Sequence, residues 1–77
     1  MDKTLFPVID PKATGKTLKA LLSEKGISVK ELSRSLGLGS VQAVYKWLRG
    51  ESIPGIDNLL ALSALLETPV EQLLEIQ

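Results

Sequence analysis

The sequence predicts an all-α fold, a compact bundle of five short helices. Three observations carry this. From Leu18 to Leu74, leucines and valines recur at spacings of three and four residues, the interval of one helix face. Those runs are cut at Gly26, Gly37, Gly50, Pro54-Gly55 and Pro69, which leaves segments of about two to four turns. No segment carries a strand signal. With no cysteine and no histidine in 77 residues, disulfides are excluded and zinc binding is improbable. Leucine packing and helix caps must hold a domain of this size together, since it buries only about 60% of its unfolded-chain surface. No cofactor or metal is expected.

Residues 1–13 carry Pro7 and Pro11 without a helical period and read as an extended N-terminal arm. Leu5, Phe6, Val8 and Ile9 are too apolar for a purely disordered tail. They fold back over a groove of the bundle, make a dimer contact by strand pairing or arm exchange, or set Lys3 or Lys12 beside a polyanion. Residues 14–77 form the single folded domain.

Its first helix is expected from Thr14 as N-cap to Lys25, ended by Gly26. Leu18, Leu21 and Leu22 face inward; Lys16, Lys19 and Ser23 face outward. The second helix opens with Ser28 and Glu31, the spacing of a capping box, and ends at Leu36-Gly37. Val29, Leu32 and Leu36 line its inner side, while Lys30 and Arg34 share its outer face. The third helix runs from Ser40 to Arg49-Gly50, with Val44, Trp47 and Leu48 inward. Two short helices joined by a Gly-containing turn outline a helix-turn-helix. In the loop that follows, Ile53 is expected to plug the core. The fourth helix starts near Ile56 with Gly55 as N-cap and Asp57 at the positive end of its dipole. Leu59, Leu62 and Leu66 make its stripe, which Leu60 and Ala64 widen. Thr68 and Glu71 read as a second capping box with Pro69 at the first helical position. Val70, Leu73 and Leu74 close the bundle. Helices four and five carry more leucine than one small core readily uses. They either roof the core completely or leave a self-association surface.

Net charge is zero, but its distribution is not even. All nine bases lie in residues 1–50 against four acids, a net of +5; residues 51–77 hold five acids and no base. Such a split reads either as an oriented electrostatic footprint, with bases clustered on one face as phosphate binding needs, or as two merely solvated surfaces. The outward arc of the third helix gathers Val41, Gln42, Tyr45, Lys46 and Arg49, and no carboxylate occurs from Ser40 to Gly50. A surface pressed against a polyanion needs that absence. No apolar run reaches the roughly 18 residues that span a bilayer, and no signal peptide is visible, so a cytoplasmic protein is expected. Enzymatic function is disfavoured. The acids stand singly, and Thr14-Gly15-Lys16-Thr17 holds only the last part of a phosphate-binding loop, without its strand or first glycine.

The run Val44-Tyr45-Lys46-Trp47-Leu48-Arg49-Gly50, then Pro54 and the leucine-rich stretch Leu59 to Leu66, resembles the phage-repressor-like (Xre/Cro-type) helix-turn-helix family of bacterial transcriptional regulators. The likeness covers roughly residues 14–75. It implies a lambda-repressor-like DNA-binding domain and a repressor-like, sequence-specific regulator. The family's base-reading positions fall on Val41, Gln42, Tyr45 and Lys46, and its phosphate contacts on Ser40 and Arg49. Val44 and Trp47 match the structural brace. The residue types agree in part. A Gln side chain bonds adenine N6 and N7 in a bidentate manner, Lys46 reaches guanine or phosphate, and Val41 offers only apolar contact to a thymine methyl. Tyr45 suits either a phosphate or a base edge. Lys30 and Arg34, four apart, are placed for phosphates if their helix crosses the backbone. Regulators of this type act as homodimers on two-fold sites with half-sites about 34–36 Å apart.

Three residues depart from the family pattern. Gly39 lengthens the turn by one, Val29 stands where a phosphate-contacting Gln is common, and Leu48 replaces a polar residue. Leu48 implies tighter packing of Ile53 or a protein partner at that end. An antitoxin-like or co-regulator interaction module with little DNA reading is the competing function.

Overall fold

The computed structural model of the protein describes residues 8–77. Five helices follow one another: α1 (Pro11–Lys25), α2 (Val29–Ser35), α3 (Gln42–Arg49), α4 (Ile56–Leu66) and α5 (Val70–Leu73). Leu18 and Leu22 of α1, Leu32 of α2, Val44 and Trp47 of α3, Leu62 and Leu66 of α4 and Leu73 of α5 form one buried cluster. Every helix contributes, so none of the short elements has to stand alone, which isolated helices of this length do not do in water. Among the described residues, no helix is long and apolar enough to cross a membrane.

The caps explain where each helix begins and ends, and two of them correct the sequence reading. Helix α1 starts three residues before Thr14. Asp10 is its N-cap, with Oδ1 accepting from the Ala13 N–H at 3.1 Å, and Pro11 occupies the first turn. Asp followed by Pro is a start signal, because proline lacks only an N–H that the first turn leaves orphaned. Thr14 is instead buried, its Oγ1 accepting the Glu75 N–H at 2.9 Å. At the other end of the chain, Pro69 rather than Thr68 caps α5, and no side chain caps it; Thr68 Oγ1 donates to the Leu66 carbonyl at 2.9 Å and is spent there.

The capping box of α2 is present. Glu31 N–H donates to Ser28 Oγ at 3.1 Å, and Ser28 N–H donates to Glu31 Oε1 at 2.9 Å. Those bonds hold the Glu31 carboxyl below the ordinary carboxylate range. A lowered folded-state value means the cap contributes at pH above that ordinary range and is lost as pH falls through the lowered value. Gly37, at φ 72°, supplies the left-handed residue past α2, and the Gly37 and Leu38 N–H groups return to the carbonyls of Arg34 and Ser33.

Residues 8–10 lie against the last segment of their own chain. Ile9 and Ile76 form an isolated antiparallel bridge; Asp10 N–H donates to the Glu75 carbonyl at 2.7 Å, and Gln77 N–H to the Val8 carbonyl at 2.8 Å. Glu75 also accepts from Thr17 Oγ1 at 2.8 Å. This part of the arm folds back, and pairs within the chain. Leu5, Phe6 and Lys3 lie outside the described residues.

Helix α3 packs chiefly against α1, and Gly15 makes that approach possible. A Cβ on Gly15 would stand 2.6 Å from the carbonyl oxygens of both Trp47 and Leu48. Helix propensity alone favours Ala over Gly by about 1 kcal/mol. The steric conflict is with backbone and outweighs it. Gly15→Ala is expected to lose up to about 2 kcal/mol net, the overpacking cost of about 1–3 kcal/mol less the propensity gain, read from chemical denaturation. A raised midpoint would show that α1 and α3 separate without penalty.

Two inward assignments fail. Pro54 is the buried residue of the loop before α4, and Ile53 is only half-buried. Leu60 and Ala64 do not widen the buried stripe of α4 but face solvent, because only one side of that helix meets the core. Leu48 is half-buried and packs against the core cluster.

Candidate nucleic-acid interface

Helix α3 has a strict division of faces. Val44 is fully buried and Trp47 is 5% exposed, so the valine and the indole tie the helix to the leucines of α1 and α2. Gln42, Tyr45, Lys46 and Arg49 are exposed on the opposite arc, and Val41 is half-buried at its start. No side chain caps α3. Ser40 Oγ accepts only a long bond, 3.4 Å, from the Gln42 N–H, and Val41 occupies the N-cap position. Beyond that long bond no side chain satisfies the first-turn amides, and the helix dipole adds positive potential there.

The proposed phosphate-facing residues fall into two groups. Lys30, Arg34 and Ser40 line one open cleft of about 280 Å³ together with Ser33, Leu38, Gly39 and Val41. This cleft lies between α2 and the longer turn. Gly39 is exposed, with open space where a Cβ would be. Sequence reasoning did not single out Ser33, whose buried hydroxyl has no hydrogen-bond partner among the described residues. Arg49 stands apart from this group, at the C-terminal end of α3.

Arg49 is also engaged. Its Nε donates to Glu51 Oε2 at 2.6 Å and its terminal nitrogen to Glu51 Oε1 at 3.3 Å. This hydrogen-bonded pair raises the Arg49 pKa and lowers that of Glu51. The acid-free run therefore ends beside a carboxylate that folds onto its last cation. The pair is solvent-exposed and screened, so it orients two side chains more than it stabilises the fold. Its signal was visible in the sequence, as an acid two residues after Arg49 across a glycine.

A buried α2–turn–α3 brace with an exposed, acid-free α3 arc defines a helix-turn-helix DNA-binding domain. The sequence pattern described as helix-turn-helix matches residues 18–73, and the chain belongs to that phage-repressor-like (Xre-type) family of transcription regulators, a non-enzymatic class. Among solved structures, it is similar to the restriction-modification controller protein C.AhdI from Aeromonas hydrophila. There the TM-score is 0.74 at 28% identity, covering 83% of this chain and 96% of that one. The DNA-binding domain of BldD from S. venezulae gives a TM-score of 0.71 at 25% identity, covering 86% and 97%. A crystal structure of the BldD DNA-binding domain, at 24% identity and a TM-score of 0.70, shares the fold over 97% of this chain and all of that one. No curated protein matches the chain.

Proposed function

We propose that this transcription regulator reads a specific DNA sequence by laying α3 in the major groove, as a repressor-like homodimer on a two-fold site in the bacterial cytoplasm. The observation that carries the reading is the exposed arc of Gln42, Tyr45 and Lys46, free of acids and backed by the buried Val44 and Trp47. Gln42 is the first choice for a base contact, through adenine N6 and N7. Lys46 and Tyr45 follow one turn later, and Val41 offers apolar contact at the groove edge. Ser40, Lys30 and Arg34 contact phosphates from the cleft side, and Arg49 from the far end of the helix.

Selection of bound duplexes from a random pool tests this directly. An enriched motif with inverted symmetry supports the reading, and recovery of unselected sequence opposes it. Gln42→Ala is expected to cost about 1–3 kcal/mol at one base position and to relax choice there. Unchanged preference would remove Gln42 from the reading set. Arg49→Ala should weaken all duplexes alike, as a phosphate contact does.

The ion pair makes a separate prediction. Glu51→Gln releases Arg49 and removes a like charge from the DNA side, so duplex binding should tighten. The log–log salt slope should steepen by about 0.9, the change for one more neutralised phosphate. An unaltered slope would mean Arg49 does not touch DNA. An interaction module without DNA reading would instead show little affinity for any duplex and no steep salt dependence.

A further inference from the structure

The cleft between α2 and the turn before α3 has a volume of about 280 Å³, at the small end of the range for small-molecule sites. Lys30 and Arg34 bring two positive charges to it, and no carboxylate lines it. Ser33 lines it as well, 4% exposed, with a hydroxyl that has no hydrogen-bond partner among the described residues. Buried hydroxyls are nearly always paired, so one left unpaired in the wall of a cationic cleft lacks an acceptor. We infer that this cleft binds the terminal phosphate of a small phosphate monoester, and that such an ester is an effector competing with DNA. The site stands on the cleft alone; only the competition rests on the DNA reading proposed above.

The lining residues offer donors and little else. The Lys30 ammonium and the Arg34 guanidinium form charge-assisted bonds, and the guanidinium fork matches two oxygens of one phosphate. Ser40 Oγ accepts a long bond from the Gln42 N–H, which leaves its own O–H to donate. The N–H groups of Gly39, Ser40 and Val41 make no backbone hydrogen bond among the described residues, and the positive end of the α3 dipole lies beside them. Glu31 is the acid that acts on Arg34, but its carboxylate accepts the Ser28 N–H in the α2 cap and forms no ion pair with Arg34.

A terminal phosphate suits this set better than a phosphate within a DNA strand. A monoester carries about two negative charges at neutral pH and three acceptor oxygens, against two cations and several O–H and N–H donors. A strand phosphate carries one charge. Sugars on both sides hold its free oxygens at the mouth, away from a hydroxyl buried in the wall. Gly39, the residue that lengthens the turn, keeps that mouth wide, since open space stands where a Cβ would be. Lys30, Arg34 and Ser40 are the cleft-side residues assigned above to DNA phosphates. An ester seated among them takes those donors from the duplex.

The test titrates the nitrogen-15-labelled full chain with methyl phosphate, and separately with dimethyl phosphate, at ionic strength held constant with sodium chloride. Methyl phosphate should give saturable amide shifts at the residues lining the cleft, and dimethyl phosphate should bind about tenfold more weakly or worse. Ser33→Ala should weaken methyl phosphate about tenfold, the effect of losing one hydrogen bond to a charged group. The hydroxyl bonds nothing in the fold, so thermal melting should find this variant at least as stable as the parent. Should it not fold, Arg34→Gln, at an exposed position, carries the same comparison. Lys25→Gln, outside the cleft, should bind the ester as the parent does. No saturation, equal affinity for the two esters, or parent-like affinity in the folded Ser33→Ala chain overturns the site. With a duplex recovered from the random pool, saturating methyl phosphate should weaken binding about fivefold beyond an equal ionic strength of chloride. Equal effects of the two salts overturn the competition. If the parent binds no duplex, the DNA reading fails on its own, and the ester titration alone decides the site.

Discussion

Trp47→Ala is expected to remove about 3–5 kcal/mol of folding stability. The ring is buried where α1, α2 and α3 meet, beside Leu18, Leu22, Leu32 and Val44. Truncation removes the largest side chain of that cluster, and the backbone cannot close the cavity, because Gly15 of α1 already abuts the Trp47 carbonyl. At roughly 0.05–0.15 kcal/mol per residue, a domain of 77 residues has about 4–12 kcal/mol in total. The loss is thus a quarter or more of the whole. Urea denaturation followed by far-UV circular dichroism reads it as a lowered midpoint at similar slope. A midpoint near that of the parent would mean the indole contributes little packing and is available for another role.

The second large effect is expected at Gly50, where two independent costs add. At φ 78° the residue is left-handed, which costs a residue with a Cβ about 1–2 kcal/mol. That Cβ would also lie 2.7 Å from Lys12 Cα and Cγ and 3.0 Å from its backbone nitrogen. Overpacking of this kind adds about 1–3 kcal/mol, so Gly50→Ala should lose roughly 2–5 kcal/mol. A double-mutant cycle with Lys12→Ala separates the contributions. Removing Cγ of Lys12 relieves one contact but neither the backbone contacts nor the φ strain, so only a minor part of the loss should be recovered. Full recovery would show that the side chain alone was in the way.

Much of this fold was legible because its determinants are local. Ser28 with Glu31, and the glycines at 26, 37 and 50, set helix limits within a few residues of themselves. The leucine spacing of α1 and α2 then supplies the inward faces. Asp10-Pro11 was misread because proline both interrupts and begins helices, and the period used to find α1 starts only at Leu18. Thr68 has the spacing of a cap, but its hydroxyl bonds backward to Leu66. Gly15 lies beyond the reach of local patterns: its need to be small arises from carbonyls more than thirty residues away. Leu60 and Ala64 were wrongly assigned inward for a different reason. A helix apolar on most sides has no period that selects which leucines go in.

The candidate interface shows the same division. Spacing alone placed Gln42, Tyr45 and Lys46 opposite Val44 and Trp47. It did not assemble Lys30, Arg34 and Ser40 around one cleft, nor join Arg49 to Glu51. Those juxtapositions depend on how the turn and the loop after Gly50 are folded.

The pairing of residues 8–10 with 75–77 has a consequence for how the domain opens. Helix α5 is a single turn, and the strands of bonding at Asp10, Thr14 and Thr17 all converge on Glu75 just beyond it. If that clasp lets go, Leu73 loses its tether and the floor beneath Leu62 and Leu66 is bared to water. The two ends of the described chain, joined there, are then the seam at which unravelling starts.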